Sequence, residues 1–347
     1  MGKPAHYEGA VLDGYQPTAG PRSAWEVWRE PICSTPPGDD VDLKHDLLLS
    51  VPQGSESEWK YVSGLEAKQL DALQKLSSRG VLWKHPTQSI SKVFTLHHGG
   101  DVAADGNCLF TAFQKAMQLN ESPSDVRRRT VQKFLGDYEA NVSNFRAVDS
   151  SIKHLYAPNL STGWGVHIVQ EVKLLAKKLD REVMDTAIDE LVQVGVSREA
   201  AAESVYKEHC LSIEDGEHWA KYMSIAGQFS DEYEIVTLQY TEEGLLTVDE
   251  NREGRAAAFG DDIAIESLAT EYERQIFVVQ AHGVDAMIEG ENCLFFLPHC
   301  PCTMINYEPI FLFMKGTGWC GAGADHYEPI ITRSASTLSK DKVVVAL

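Results

Sequence analysis

The sequence lacks several features that would assign the chain to a common class of protein. It has no apolar run as long as a membrane span, and its N-terminus has no apolar signal-peptide core. Basic residues are outnumbered, with 31 Lys and Arg against 51 Asp and Glu, so the formal net charge is −20. Because phosphate backbones attract positive charge, we expect no nucleic-acid partner. Because no membrane span and no signal peptide are visible, we expect no membrane partner and a cytoplasmic or nuclear location.

The seven cysteines do not form a disulfide framework, because their number is odd and their spacing irregular, which indicates a reducing compartment. The densest group is the segment HCPC at residues 299–302, with Cys293 and Cys320 nearby. Structural zinc sites use paired C-x-x-C ligands, and this segment has one residue between its cysteines. We therefore expect no metal ion and no cofactor.

Helical and strand patterns are mixed along the chain, which predicts an α/β (α+β) protein. Helices are predicted at 63–78, with Ser63 as N-cap, and at 166–179, where Ile168, Val172, Leu175 and Leu179 form one stripe. Strands are predicted at 80–83, 93–96, 234–240, 245–248, 275–280, 294–297 and 310–314. The last of these is apolar on both faces, which is typical of a central strand.

Residues 183–210 predict two short helices joined at Gly195, with Ser197 as the cap of the second helix. This pattern resembles the first two helices of a ubiquitin-associated domain. The alternative is an ordinary αα-hairpin inserted in a larger domain, and the sequence leaves both open.

One short segment, Asp105-Gly106-Asn107-Cys108-Leu109-Phe110, combines a turn with the start of an amphipathic helix. A cysteine at a helix N-terminus is near the positive end of the helix dipole, which favours the thiolate. The free N–H groups there point toward the position where an oxyanion forms in acyl transfer. Cys108 is therefore a candidate nucleophile, and the alternative is a buried structural cysteine.

A nucleophilic cysteine needs a base close in space, and His326 is the candidate, at the point where a Gly-rich loop meets a predicted strand. Glu328 lies two residues on, so in an extended chain it would face the same side and orient the imidazole. Asp105 is the alternative for this third role. Other histidines compete with His326, including His97 and His98, which are close to Cys108 in sequence.

Three segments in order, 105–110, 260–269 and 325–327, resemble the motifs of the ovarian tumour (OTU) cysteine proteases. The first resembles the nucleophile motif, the second a glycine-led helix before a core strand, and the third the catalytic His block with an aromatic residue after the His. The resemblance implies an OTU-like cysteine protease fold, with a small central β-sheet flanked by helices. It also implies cleavage of isopeptide or peptide bonds after the C-terminal glycine of ubiquitin or polyubiquitin.

The resemblance also implies roles for individual residues. Cys108 is the nucleophile, His326 the general base, Asp105 or Glu328 the third member, the backbone at Gly106 and Asn107 the oxyanion site, and Gly260, Trp319 and Tyr327 the binding site for the substrate tail. Two positions depart from the family pattern. Glu328 stands where Asn or Asp is usual, and Ala258-Phe259-Gly260 stands where Trp-Gly-Gly is usual.

The resulting domain prediction has four parts. Residues 1–42, rich in Pro and Gly, form a mostly disordered tail, and residues 43–95 form an extension that packs on the catalytic domain. The catalytic domain covers 96–333, with a helical hairpin insertion at about 180–255, and 334–347 form a C-terminal tail. Two alternative functions stay open: a catalytically weak ubiquitin-binding module with this fold, and a cysteine hydrolase for a ubiquitin-like modifier.

Overall fold

The computed structural model describes residues 59–140, 145–157, 169–282, 294–316 and 326–335, and the backbone of residues 344–345. The predicted N-terminal tail, the extension up to residue 58 and most of the C-terminal tail lie outside these ranges. The described residues form an α+β protein, as the mixed sequence pattern predicted. None of the helices in these ranges is long and apolar enough to cross a lipid bilayer.

Helices and strands are mixed through the described ranges. The helices are α1 (Ala67–Arg79), α2 (Cys108–Met117), α3 (Pro123–Glu139), α4 (Phe145–Tyr156), α5 (Arg181–Gln193), α6 (Arg198–His209), α7 (Gly216–Met223) and α8 (Asp262–Glu271). The strands are β1 (Val81–Lys84), β2 (Ser91–His98), β3 (Gln170–Lys177), β4 (Leu211–Ser212), β5 (Tyr233–Thr241), β6 (Gly244–Asp249), β7 (Ile276–Ala281), β8 (Leu294–His299), β9 (Ile310–Lys315), β10 (His326–Ser334) and β11 (Val344–Val345).

The main sheet has seven strands in the order β11-β1-β2-β10-β9-β7-β8. Its neighbours are antiparallel except for the β1–β11 and β7–β9 pairs, which are parallel. The sequences of β7 (IFVVQA) and β9 (IFLFMK) are buried on both faces almost throughout, so they occupy the interior of the sheet as the apolar run at 310–314 predicted.

Residues 59–98 are part of this sheet and its core. Strands β1 and β2 pair within the sheet, and Trp59, Leu73 and Leu76 pack with Phe311 and Phe313 of β9 in one hydrophobic cluster. Helix α1 begins at Ala67, so the prediction of Ser63 as its cap is wrong. The cap is Glu66, whose N–H donates to the side chain of Gln69 at 2.8 Å, because a Glu-x-x-Gln pair can satisfy the helix end reciprocally.

A second sheet, in the order β4-β3-β5-β6, combines β3, which precedes the predicted insertion at about 180–255, with three strands that lie inside it. The helices α5 and α6 pack on it through a separate hydrophobic cluster, whose buried members include Ile188, Tyr206 and Leu238. Gly195 has φ +100° at the turn between the two helices, and Ser197 accepts a hydrogen bond from the N–H of Ala200 at 3.3 Å. The predicted helical hairpin is therefore present.

One element at the start of the second sheet differs from prediction. The helix expected at 166–179 is wrong, because residues 170–177 form β3 and pair along their full length with β5. Alternate side chains of β3, those of Val172, Leu174 and Ala176, face the helical cluster. The chain also passes from α6 into β4 and then into α7, and α5 and α6 pack on the second sheet as an αα-hairpin.

Candidate active site

The turn before α2 is built from the residue types that the sequence singled out. Gly106 has φ +83°, a left-handed conformation that glycine adopts without strain. The carboxylate of Asp105 accepts the N–H of Asn107 at 2.9 Å, which closes the turn. Cys108 is the first residue of α2, as predicted. Asn107 makes no side-chain cap bond to this helix, because its amide oxygen accepts a hydrogen bond from Arg127 instead.

Cys108 is buried, with 4% of its surface exposed. Burial raises the pKa of the Cys108 thiol above its ordinary value. Hydrogen bonds to the sulfur from the N–H groups of Tyr327 and Leu109, together with the charge of Arg127, lower the pKa, but burial and the negative charge of Asp105 outweigh them. The sequence argument from the helix dipole predicted a thiolate. In the conformation described here the neutral thiol is favoured at neutral pH.

His326 is the first residue of β10, and its Nε2 lies 3.0 Å from the carbonyl oxygen of Val102. A neutral imidazole that donates through Nε2 has Nδ1 as its proton acceptor, which is the form a general base needs. The hydrogen bond from the N–H of Tyr327 places the sulfur of Cys108 beside the residue that follows His326. The thiol therefore contacts the residue that follows His326, and no hydrogen bond joins the thiol to the imidazole of these two described residues.

The expected contact between Glu328 and His326 is absent from the hydrogen bonds of these two described residues. Glu328 is buried, with Oε2 2.7 Å from Nε2 of His98 and Oε1 3.5 Å from Nζ of Lys315. Burial by itself raises the pKa of the Glu328 carboxyl, but the His98 hydrogen bond and the Lys315 charge outweigh it, and the pKa is lowered. Glu328 therefore holds His98 in place.

Neither candidate for the third member of the triad orients His326. Asp105 is used by the turn, and Glu328 is used by His98. The group that contacts the imidazole is the main-chain carbonyl of Val102, in the loop between β2 and α2. A backbone carbonyl can fix a histidine tautomer as a carboxylate does, and no sequence motif identifies it.

The predicted substrate-tail residues lie in different surroundings. Gly260 packs so closely on α2 that an added Cβ would lie 2.2 Å from Cδ2 of Leu109. Tyr327 is buried, and Trp319 lies outside the described residues. Phe259, next to Gly260, is 64% exposed, and Phe229 is 78% exposed with the Arg255 guanidinium 5.9 Å from its ring. These two aromatic side chains are available to a ligand.

Two groups of residues bear on metal binding. Ligand atoms of His98, Asp101 and Glu328 lie within 4.8 Å of one another and could hold an ion, although Lys315 already supplies a positive charge to Glu328. In the 299–302 segment, Cys300 accepts a hydrogen bond from Gln275 at 3.4 Å. Its two distant partners, Cys293 and Cys320, lie outside the described residues. The expectation of no metal stays a prediction.

The sequence analysis missed Arg127, a residue of α3 with 1% of its surface exposed. Its guanidinium donates to the carbonyl oxygen of Gly106 and lies 4.5 Å from the ring centroid of Phe110. The turn at residues 105–107 is called the nucleophile turn below, after the candidate role of Cys108. The signal was present in the sequence, because Arg127, Thr130, Val131 and Phe134 fall at helical spacing and are all buried. Within the run RRR at 127–129 the first arginine is therefore the one on the buried face.

No protein-family model matches this chain, and no curated protein is significantly similar to it in sequence. The three short motifs and the geometry around Cys108 are therefore the features of this chain that bear on its function.

Proposed function

We propose that this protein is an OTU-like cysteine protease that hydrolyses isopeptide or peptide bonds after the C-terminal glycine of ubiquitin or polyubiquitin. The observation that carries the proposal is the position of Cys108. It lies at the N-terminus of α2, with its sulfur against the main chain of Tyr327, the residue after His326. Nucleophile and base are thus brought together from positions more than 200 residues apart in the sequence.

The proposed reaction is a two-step acyl transfer. Nδ1 of His326 takes the thiol proton, and the Cys108 sulfur attacks the carbonyl carbon of the C-terminal glycine. N–H groups at the start of α2 stabilise the tetrahedral oxyanion. The protonated imidazole then gives its proton to the leaving amine, and water hydrolyses the thioester. The Val102 carbonyl keeps Nε2 protonated throughout, so Nδ1 alone exchanges the proton.

The reactive pair has to rearrange for this reaction. The sulfur accepts hydrogen bonds from the main chain of Tyr327 and Leu109, no hydrogen bond joins it to the described His326 imidazole, and burial favours its neutral form. We propose that the substrate tail enters beside Phe259 and completes the pairing, since catalytic hydrogen bonds often tighten only in the complex. The net charge of −20 favours encounter with a basic face of the partner without setting specificity.

A second candidate is a ubiquitin-binding module that cleaves poorly. The raised pKa of Cys108 and the engagement of Glu328 by His98 favour it, because both reduce the readiness of the pair. A cysteine hydrolase for a ubiquitin-like modifier keeps the same chemistry and changes the substrate.

The test is covalent labelling by ubiquitin that carries an electrophile at its C-terminus. We expect wild type to form an adduct, Cys108→Ala to form none and His326→Ala to label much more slowly. Cys300→Ala is the control, because Cys300 is an exposed cysteine away from α2, and it should label like wild type. Reversible ubiquitin binding without an adduct would favour the binding module. Labelling only by probes built on ubiquitin-like modifiers would favour a cysteine hydrolase that acts on such a modifier.

A further inference from the structure

We propose that Arg127 is a positioning residue for Cys108: a buried cation that fixes the nucleophile turn and places positive charge beside the sulfur. The proposal rests on Cys108 being the nucleophile of the proposed function. It adds a residue outside the three motifs, which none of the sequence arguments assigned.

All five N–H groups of the Arg127 guanidinium are used. Nε donates to the amide oxygen of Asn107 at 3.0 Å. Nη2 donates to the carbonyl oxygens of Gly106 at 2.7 Å and Ala258 at 2.8 Å. Nη1 donates to the carbonyl oxygens of Met223 at 2.9 Å and Ile225 at 3.1 Å. One planar side chain therefore holds three separate segments, and a shorter or more flexible cation could not reproduce this pattern.

Its five acceptors are four carbonyl oxygens and one amide oxygen, so no carboxylate among them neutralises the charge. Burial of a guanidinium without a directly bonded carboxylate is costly, and it lowers the pKa of Arg127 to about 10 although the charges of Asp231 and Asp105 act in the opposite direction, so the group stays protonated at neutral pH. If this position only had to fill space, an uncharged side chain would fill it at a lower cost in free energy than a buried arginine. The Arg127 charge acts on the Cys108 sulfur and favours its thiolate form.

Two of the three segments that Arg127 joins are those by which the chain enters and leaves the β5–β6 hairpin of the second sheet. Ala226 and Ala257 form an isolated bridge next to the nucleophile turn. An added Cβ at Gly106 would lie 2.4 Å from Cβ of Ala257, so the turn and this bridge are in direct contact. Arg127 thus ties the nucleophile turn to the base of the inserted sheet.

The experiment separates charge from packing. Arg127→Met removes the charge and the hydrogen bonds, and Arg127→Lys keeps the charge but offers three donors in another geometry. Arg128→Met is the matched control, since Arg128 is the next residue on the same helix and its side chain is 67% exposed. For each protein, the rate of Cys108 alkylation by iodoacetamide is followed against pH by peptide mass spectrometry. Labelling by the ubiquitin probe and the circular dichroism spectrum are measured in parallel.

We expect the midpoint of the alkylation profile to rise by about one pH unit in Arg127→Met and to stay in place in Arg127→Lys. Probe labelling should fall at least about tenfold in both, since an opposite charge and a fixed turn are each worth that much. Arg128→Met should match wild type in both assays. A folded Arg127→Met with the wild-type midpoint and labelling rate would overturn the proposal.

Two further outcomes are distinguishable. If Arg127→Met does not fold, Asn107→Ala replaces it, because that change removes one acceptor and leaves the arginine in place. Slower labelling with an unshifted midpoint then supports the positioning role, and wild-type labelling rejects it. If wild type does not react with the ubiquitin probe but the midpoint still shifts in Arg127→Met, the proposed substrate is wrong while the role of Arg127 stands.

Discussion

Gly106 is the residue that most restricts the nucleophile turn. Its φ of +83° belongs to glycine, and an added Cβ would lie 2.4 Å from Cβ of Ala257. We expect Gly106→Ala to lower the free energy of unfolding by roughly 2–4 kcal/mol, the sum of a left-handed backbone cost and an overpacking cost. Urea unfolding followed by circular dichroism measures this loss. The same variant should react more slowly with the ubiquitin probe, because the turn positions Cys108.

Gly100 provides the matched control for this prediction. It has φ +94° but no atom within 4 Å of an added Cβ, so Gly100→Ala pays for the backbone alone. We expect a loss of roughly 1–2 kcal/mol in the same assay. Equal losses in the two variants would mean that the contact with Ala257 contributes nothing.

At the scale of the residue, the side chains that belong to a sequence motif were predictable, and the main-chain carbonyl that contacts His326 was not. The turn at 105–107 and the start of α2 at Cys108 are local features, so they were predictable. The Val102 carbonyl is main chain and has no residue identity to recognise. Alternation correctly placed His326 and Glu328 on one side of β10. The neighbouring strand, which brings His98 to Glu328, then decided the partner.

At the scale of the element, α8 depends on one buried cap. Oδ1 of Asp261 accepts the N–H of Ala264 at 2.8 Å, and Oδ2 accepts Nε1 of Trp219 at 2.9 Å and the hydroxyl of Tyr156. Asp261→Ala loses the cap and leaves two buried donors unpaired. We expect it to lower the free energy of unfolding by roughly 3 kcal/mol.

Ser197, the cap of α6, tests whether this loss exceeds that of an ordinary cap. Its hydroxyl accepts one hydrogen bond at an exposed helix end, so Ser197→Ala should cost about 1 kcal/mol in the same urea titration. A loss in Asp261→Ala no larger than that in Ser197→Ala would contradict a special role for the buried network.

The wrong prediction at 166–179 shows where local patterns fail at this scale. Val172, Leu175 and Leu179 have helical spacing, whereas Val172, Leu174 and Ala176 have strand spacing, so a short apolar run fits both. What decides is β5, about 60 residues further on, which pairs with the whole of β3. A local window cannot contain that partner. The strands β7 and β9 were predictable because their short apolar sequences are rich in β-branched and aromatic residues, which favour a buried strand.

At the scale of the whole molecule, two of the hydrophobic clusters formed by the described residues share no residue. One joins α1 to the main sheet, and the other joins α5 and α6 to the second sheet. One link between the second sheet and the active site is at the base of the sheet, where the Arg127 side chain donates to the carbonyls of Ile225 and Ala258. The second sheet therefore has a hydrophobic cluster of its own, and Arg127 joins the segments at its base to the nucleophile turn.

Because these two hydrophobic clusters share no residue, we expect the two sheets to open independently. Ile188 and Leu73 are both fully buried, one in each cluster. Truncation of either to alanine should cost roughly 2–4 kcal/mol locally, through lost burial and a residual cavity. By hydrogen exchange, we expect Ile188→Ala to accelerate the amides of β3 and β5 while those of β7 and β9 keep wild-type rates, and Leu73→Ala to do the reverse. If Ile188→Ala accelerates β7 and β9 as much as β3 and β5, the two sheets unfold as one cooperative unit and the separation of cores has no energetic meaning.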